Sequence, residues 1–340
     1  MIWLTWRQFR AQAWTAFAVL AVAAVALAVT GPNLARMFDA SGIAGCAARG
    51  DCESLTTAFL DQVGHNAPDN VLDHLSSWVL FAVPSLVGMF WGAPLVTREL
   101  ETGSFRMVWN QSVTRTRWLA VKLALIGLAS MATAGLLSLA FFWWSSPVER
   151  LSMQRMTPEW FGATGIVPVG YAAFAFAVGV TAGVLFRRTL PAMAVTLAVT
   201  VGAQAFMALW LRARLIAPLR VAAPLTDAVL NNFGLRPATG QFTVFTQGGA
   251  AIPGAWIISA PQTVTTPEHV ASQACLTQLR QNLATPQACI ASLARLHLKE
   301  VVTYEPLSRF WALQWYETAI FLGLALVLAA FCFWRGTRRG

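Results

Sequence analysis

From Trp160 to Phe186 the chain reads WFGATGIVPVGYAAFAFAVGVTAGVLF, and after Arg187-Arg188 it resumes as TLPAMAVTLAVTVGAQAFMALWL to Leu211. Both stretches lack Asp, Glu, Lys and Arg, and each exceeds the about 20 helical residues that span a bilayer. The same test finds Ala11 to Ala35, with its apolar heart at Ala13 to Val29, then Leu75 to Thr97 and Leu123 to Val148. A sixth, Thr318 to Trp334, is short, but Trp311, Trp315 and Tyr316 precede it as an interfacial belt. Pro237 to Pro267 is also uncharged. It carries Gly248, Gly249, Pro253, Gly254 and Pro261, whose backbone would leave amides unpaired in lipid, so it reads as loop and short strands.

Composition agrees. Of 340 residues, 56% are hydrophobic and 11% charged, against about 25% charged in soluble domains. An ordinary soluble enzyme and a disordered chain are both excluded on that ground. The net charge of +9 is spread as punctuation between apolar stretches rather than gathered on one face, so no nucleic-acid partner is expected.

The basic residues set the expected orientation. Arg7 and Arg10, then Arg98, Arg106, Arg115, Arg117 and Lys122, then Arg187 and Arg188, and finally Arg335, Arg338 and Arg339 share one side of a six-span path. By the positive-inside rule that side, with both termini, is cytoplasmic. The expected order is an N-terminal interfacial helix with the first span over 1–30, an outer loop over 31–74, and a second span over 75–97. A cytoplasmic loop over 98–118 leads to a third span over 119–145 and an outer loop over 146–164. Spans at 165–186 and 189–211 follow, then an outer domain over 212–314, a last span over 315–334 and a tail over 335–340. The fold class expected is an all-α polytopic membrane protein of the plasma (inner) membrane, with a small α+β extracytoplasmic domain between its fifth and sixth transmembrane helices. The first apolar run is too long for a cleaved signal peptide and reads as an uncleaved anchor.

Trp3, Trp6 and Phe9 alternate with Arg7 and Arg10, which fits an amphipathic segment in the inner interface. In the outer domain, Phe242 to Phe245, Trp256 to Ser259 and Val301 to Tyr304 look strand-like. Thr266-Pro267-Glu268 and Thr285-Pro286 open two helices, roughly 267–284 and 286–298. Cys46 and Cys52 share the first outer loop, and Cys275 and Cys289 the last; two disulfides fit an oxidising compartment, with four free thiols or a metal site as the alternatives.

Catalytic machinery is missing from the sequence. The charge-free windows leave no ionisable residue in a span core, which argues against proton-driven pumping and intramembrane catalysis. His65 has helical spacing to Asp61 and Asp69, but Pro68 interrupts it, and no metal site is expected. Neither Lys122 nor Lys299 follows a Gly, so no P-loop is possible. If ATP drives this protein, another chain binds it. Gly88-x-x-x-Gly92 and Gly179-x-x-x-Gly183 allow close helix approach, within one bundle or at a subunit interface.

The loop after the second window carries a resemblance. Val96-Thr97-Arg98-Glu99-Leu100-Glu101-Thr102-Gly103-Ser104-Phe105, followed by Ser112-Val113-Thr114-Arg115-Thr116-Arg117-Trp118, resembles the cytoplasmic loop of type-2 ABC exporter (ABC-2 type) permeases, with their E-x-x-x-G-[ST] pattern and Ser/Thr-Arg step. Trp6-Arg7-Gln8-Phe9-Arg10 further resembles the start of actinobacterial members. The resemblance implies a dimeric permease, homo- or heteromeric, with a separate ABC ATP-binding subunit that holds ATP and Mg. It implies no cofactor in this chain and no enzyme activity of its own. A coupling helix capped by Ser104 after Gly103 would dock through Phe105, Val108 and Trp109, with Arg98, Glu99 and Glu101 at its hinge. A rival reading is a membrane-anchored sensor or scaffold whose outer domain binds an extracellular ligand.

Overall fold

The computed structural model describes residues 2–43, 55, 58–59, 62, 80–102, 115–152, 156–224, 233–238, 241–246, 255–258 and 299–338. The protein is mostly helical, and among the described residues six helices are long and apolar enough to cross a membrane. It divides into two compact units: one formed by Met1–Leu215 with Phe310–Gly340, the other by Ile216–Arg309.

In the helical unit, α1 (Ile2–Ala40) is one continuous helix. It runs through Pro32 and stops at Gly42, whose φ of +70° is open to glycine without strain. Trp144 donates its indole N–H to the Thr30 hydroxyl, and Leu27, Leu34, Phe141 and Trp144 share one apolar cluster. Helix α2 contains the span Leu80–Arg98, opens into a wider π turn at Gly88–Gly92 and ends with Ala93–Thr102. Helix α3 is Arg115–Ser152. A short α4 (Pro158–Ala163) precedes α5 (Val167–Phe186), which is buried along most of its length. The window from Trp160 to Phe186 is thus split. Gly165 at φ +73° turns the chain there, and Pro168 then sits in the first turn of α5, where a missing N–H costs nothing.

After α5, Arg187 takes the left-handed conformation and Arg188 an extended one, a tight reversal into α6 (Thr189–Phe206). Residues Ala192, Thr196, Thr200 and Gln204 of α6 form its buried face, four apart as a helix requires. A π turn at Met207–Leu211 and a last turn at Arg212–Leu215 complete this span. Helix α7 is Phe310–Arg338.

The second unit contains β1 (Leu219–Pro224), β2 (Phe233–Ala238), β3 (Gln241–Thr246), β4 (Trp256–Ile257) and β5 (Lys299–Glu305). All pairs are antiparallel, in a three-stranded sheet of order β1-β5-β4 and a separate β2-β3 pair. Arg309 ties Glu305 and the Ala217 carbonyl together within this unit. The helices expected near 267–284 and 286–298 lie outside the described residues. So do Cys46, Cys52, Cys275 and Cys289, and His65 with Asp61 and Asp69. Cys332, in α7, is a free buried thiol.

Candidate functional site

The two G-x-x-x-G repeats meet face to face. A Cβ added to Gly88 would lie 2.5 Å from the Ala175 carbonyl oxygen, and one on Gly92 2.6 Å from that of Phe176. A Cβ on Gly183 would stand 2.9 Å from the Ala93 carbonyl. One on Gly179 would collide with the Gly88 carbonyl. Here α2 and α5 touch backbone to backbone, and only hydrogen side chains permit it.

At the end of α2, two side chains reach the start of α6. Glu101 accepts the Thr189 backbone N–H at 2.7 Å on one carboxylate oxygen and the Thr189 hydroxyl at 2.9 Å on the other. One turn earlier, the Thr97 hydroxyl lies 2.9 Å from that of Thr189 and also donates to the Ala93 carbonyl at 3.0 Å. The residue at the α6 N-cap is Arg188, which makes no side-chain cap, so Glu101 supplies from another helix the acceptor that the exposed N–H needs. Its negative charge also suits the positive end of the α6 dipole. The Thr189 N–H, then the Thr189 hydroxyl, hold the Glu101 carboxyl below its ordinary value of 4.5 against an opposing effect of desolvation, and the charges of Arg188 and Arg98 add to the lowering.

A lowered pKa means the contribution is present above the unfolded value and is lost as pH falls through the folded one. Below about pH 4.5 the start of α6 is therefore expected to loosen progressively. The Thr189 amide resonance, followed during acidification, should shift in the native chain and stay flat in Glu101→Gln.

Arg98 and Glu99 occupy the same last turns of α2, Arg98 exposed. Gly103, Ser104, Phe105, Val108 and Trp109 lie outside the described residues.

A second polar centre stands at the other end of α6. Arg212 binds Glu317 of α7 bidentately, Nε at 2.9 Å and Nη2 at 3.1 Å, and both side chains are fully buried. The Tyr171 hydroxyl donates to the same carboxylate. Arg212 also donates to the Pro158 carbonyl at 3.3 Å and lies over the Phe161 ring at 4.2 Å. Arg212 and Glu317 each stand one residue outside a charge-free window, one ending at Leu211 and the other beginning at Thr318, so the expectation about span cores stands. Charge-free windows end wherever a charge stands, so a charge neutralised by a partner on another helix was read as a boundary. Both oxygens of Glu317 are occupied by donors, which describes a staple better than a relay.

One turn before Glu317, Gln314 spends its whole amide. Its oxygen accepts the N–H groups of Ile166 and Val167, both at 3.0 Å, and its nitrogen donates to the Phe161 and Thr164 carbonyls, both at 3.1 Å. It thereby closes the end of α4 and the start of α5 together. Sequence reasoning singled out neither Gln314 nor Arg212. Gly165 and Pro168 signalled the break, but nothing nearby signalled a partner so far along the chain.

Thr181 and Gln204 are polar side chains buried within the spans. Thr181 donates to the Ala177 carbonyl at 2.7 Å, a common self-satisfaction of a helix. Gln204 accepts from the Ser85 hydroxyl at 3.1 Å between α6 and α2. Among the described residues, what the bundle offers is mechanical: close-packed helices, with α6 fastened to α2 at one end and to α7 at the other.

A family model described as "ABC-2 membrane transporter related" matches residues 17–212, from α1 to Arg212. No curated protein and no solved structure matches the chain.

Proposed function

Since the chain belongs to the ABC-2 membrane transporter related family, we propose that it is the membrane-spanning permease subunit of an ABC-type exporter, powered by ATP hydrolysis in a separate ATP-binding subunit. The family match carries this reading, because it covers five of the six apolar helices and the segment from α2 into α3. Arg98, Glu99 and the stretch from Gly103 to Trp109 face the cytoplasm in this reading, with both termini on that side of the plasma membrane. The ATP-binding subunit takes Phe105, Val108 and Trp109 into a cleft. A second permease copy completes the pathway. Closure of the nucleotide-bound subunits then shifts the helix bundle between two states. The helix surfaces are apolar, which favours an amphipathic or lipid-like cargo.

Aromatic anchors dominate such contacts, at about 2 kcal/mol or more each. Phe105→Ala is therefore expected to lower the amount of P-loop ATPase recovered with the chain from native membranes about thirtyfold. Native chain that never brings down an ATPase would refute the assignment. The separate compactness of Ile216–Arg309 favours the rival sensor reading to one extent: deleting that unit should then abolish function while Phe105→Ala leaves it intact. The permease reading requires the reverse for Phe105.

A further inference from the structure

We propose that Glu101 is a positioning residue inside this chain, which hands movement of the docking loop to α6, rather than a contact to the ATP-binding subunit. The inference rests on the permease reading above and deepens it.

The geometry is specific. Both carboxylate oxygens of Glu101 are taken by Thr189, one by its N–H and one by its hydroxyl. Each carboxylate oxygen is thus engaged by the chain's own helix, although the side chain is exposed enough for a partner to reach. Glu101 stands two residues before Gly103, at the last turn of α2. This turn is the described part of α2 nearest in sequence to the proposed docking segment. Thr97, one turn back, lies against the same Thr189 hydroxyl, so α2 touches the start of α6 at two successive turns. The span that begins at Thr189 runs 27 residues to Leu215, about 40 Å at 1.5 Å per residue. Its far end is held by the Arg212–Glu317 pair to α7. A displacement at the docking loop is thereby delivered along one helix to the opposite end of the bundle. Charge-assisted bonds at a helix N-terminus suit this task, because they resist both sliding and fraying.

The test uses the full chain with the ATPase it recovers from native membranes, and reads backbone hydrogen exchange with and without vanadate-trapped ATP. The informative segment is 207–215, far enough from Thr189 that loss of a cap has no local effect there. In the native complex, trapping nucleotide should change exchange at 207–215. In Glu101→Ala that nucleotide-dependent change should fall about tenfold, while the recovered ATPase stays within about twofold of native. Glu101→Asp, which keeps the charge, should recover part of the response, and Thr189→Val should lose part of it with the N–H bond intact. Loss of the ATPase in Glu101→Ala, as in Phe105→Ala, would overturn the proposal and make Glu101 a docking contact. An undiminished response at 207–215 would also overturn it. A native chain without ATPase or nucleotide response would sink the permease reading, and this proposal with it; that failure appears in the native protein, whereas the other two appear only in variants.

Discussion

Replacing Glu317 with Ala is expected to destabilise the helical unit by about 3–5 kcal/mol. The change leaves the Arg212 guanidinium buried without a counter-charge, beside the Pro158 carbonyl and the Phe161 ring, and removes the carboxylate that accepts from the Tyr171 hydroxyl. The cost lies in the abandoned charge more than in the lost bonds. A double variant, Arg212→Met with Glu317→Leu, removes both charges and should recover most of that loss, to within about 1 kcal/mol of native. Thermal unfolding of the three proteins in one lipid nanodisc composition checks this. Equal melting points for the single and double variants would show that the charge is not what matters.

The second large effect belongs to Gly179. Its added Cβ would strike the Gly88 carbonyl and stand 2.8 Å from the Ala93 nitrogen and 3.0 Å from the Gly92 carbonyl carbon. All three are backbone atoms, so no rotamer change can make room. Gly179→Ala should cost about 1–3 kcal/mol through separation of α2 from α5, and Gly179→Leu should fail to accumulate in the membrane. Gly202, with no atom within 4 Å of its Cβ position, is the matched control. There, Ala should be neutral or stabilising by up to about 1 kcal/mol, from helix propensity alone. Accumulation levels and melting points that do not separate the two sites would refute the backbone-contact account.

The six helices could be read in the sequence because a membrane span is a local property: enough consecutive apolar residues, and no charge. Gly88, Gly92, Gly179 and Gly183 were also visible as spaced pairs, although spacing alone left open whether they serve one bundle or two subunits; the structure puts them against each other within one chain. Arg212 and Glu317 were invisible for the complementary reason. Each looks like the end of a span until the other, 105 positions away, cancels its desolvation cost. Gln314 hides in the same way, since its partners are backbone groups at the α4–α5 junction.

The strands show a similar divide. The strand-like stretches at 242–245 and 301–304 fall on β3 and β5, rich in aromatic and β-branched residues, and that at 256–259 meets β4 at Trp256–Ile257. By contrast β1, LRVAAP, and β2, which contains Pro237, carry weak signals and are strands because their neighbours pair with them. Glu101 was read as part of a docking hinge. Sequence alone gave no means of seeing that its carboxylate turns towards Thr189.

The enclosure of α5 sets a timetable for biosynthesis. A nascent chain halted after the third crossing would present the Gly88–Gly92 slot of α2 with nothing to fill it. The innermost rod is released from the ribosome only after three of its neighbours, and its last two wrap around it later still. Early intermediates must therefore be loose assemblies held in the insertion machinery. Membrane quality-control proteases should find a chain truncated before residue 167 a far better substrate than the finished protein.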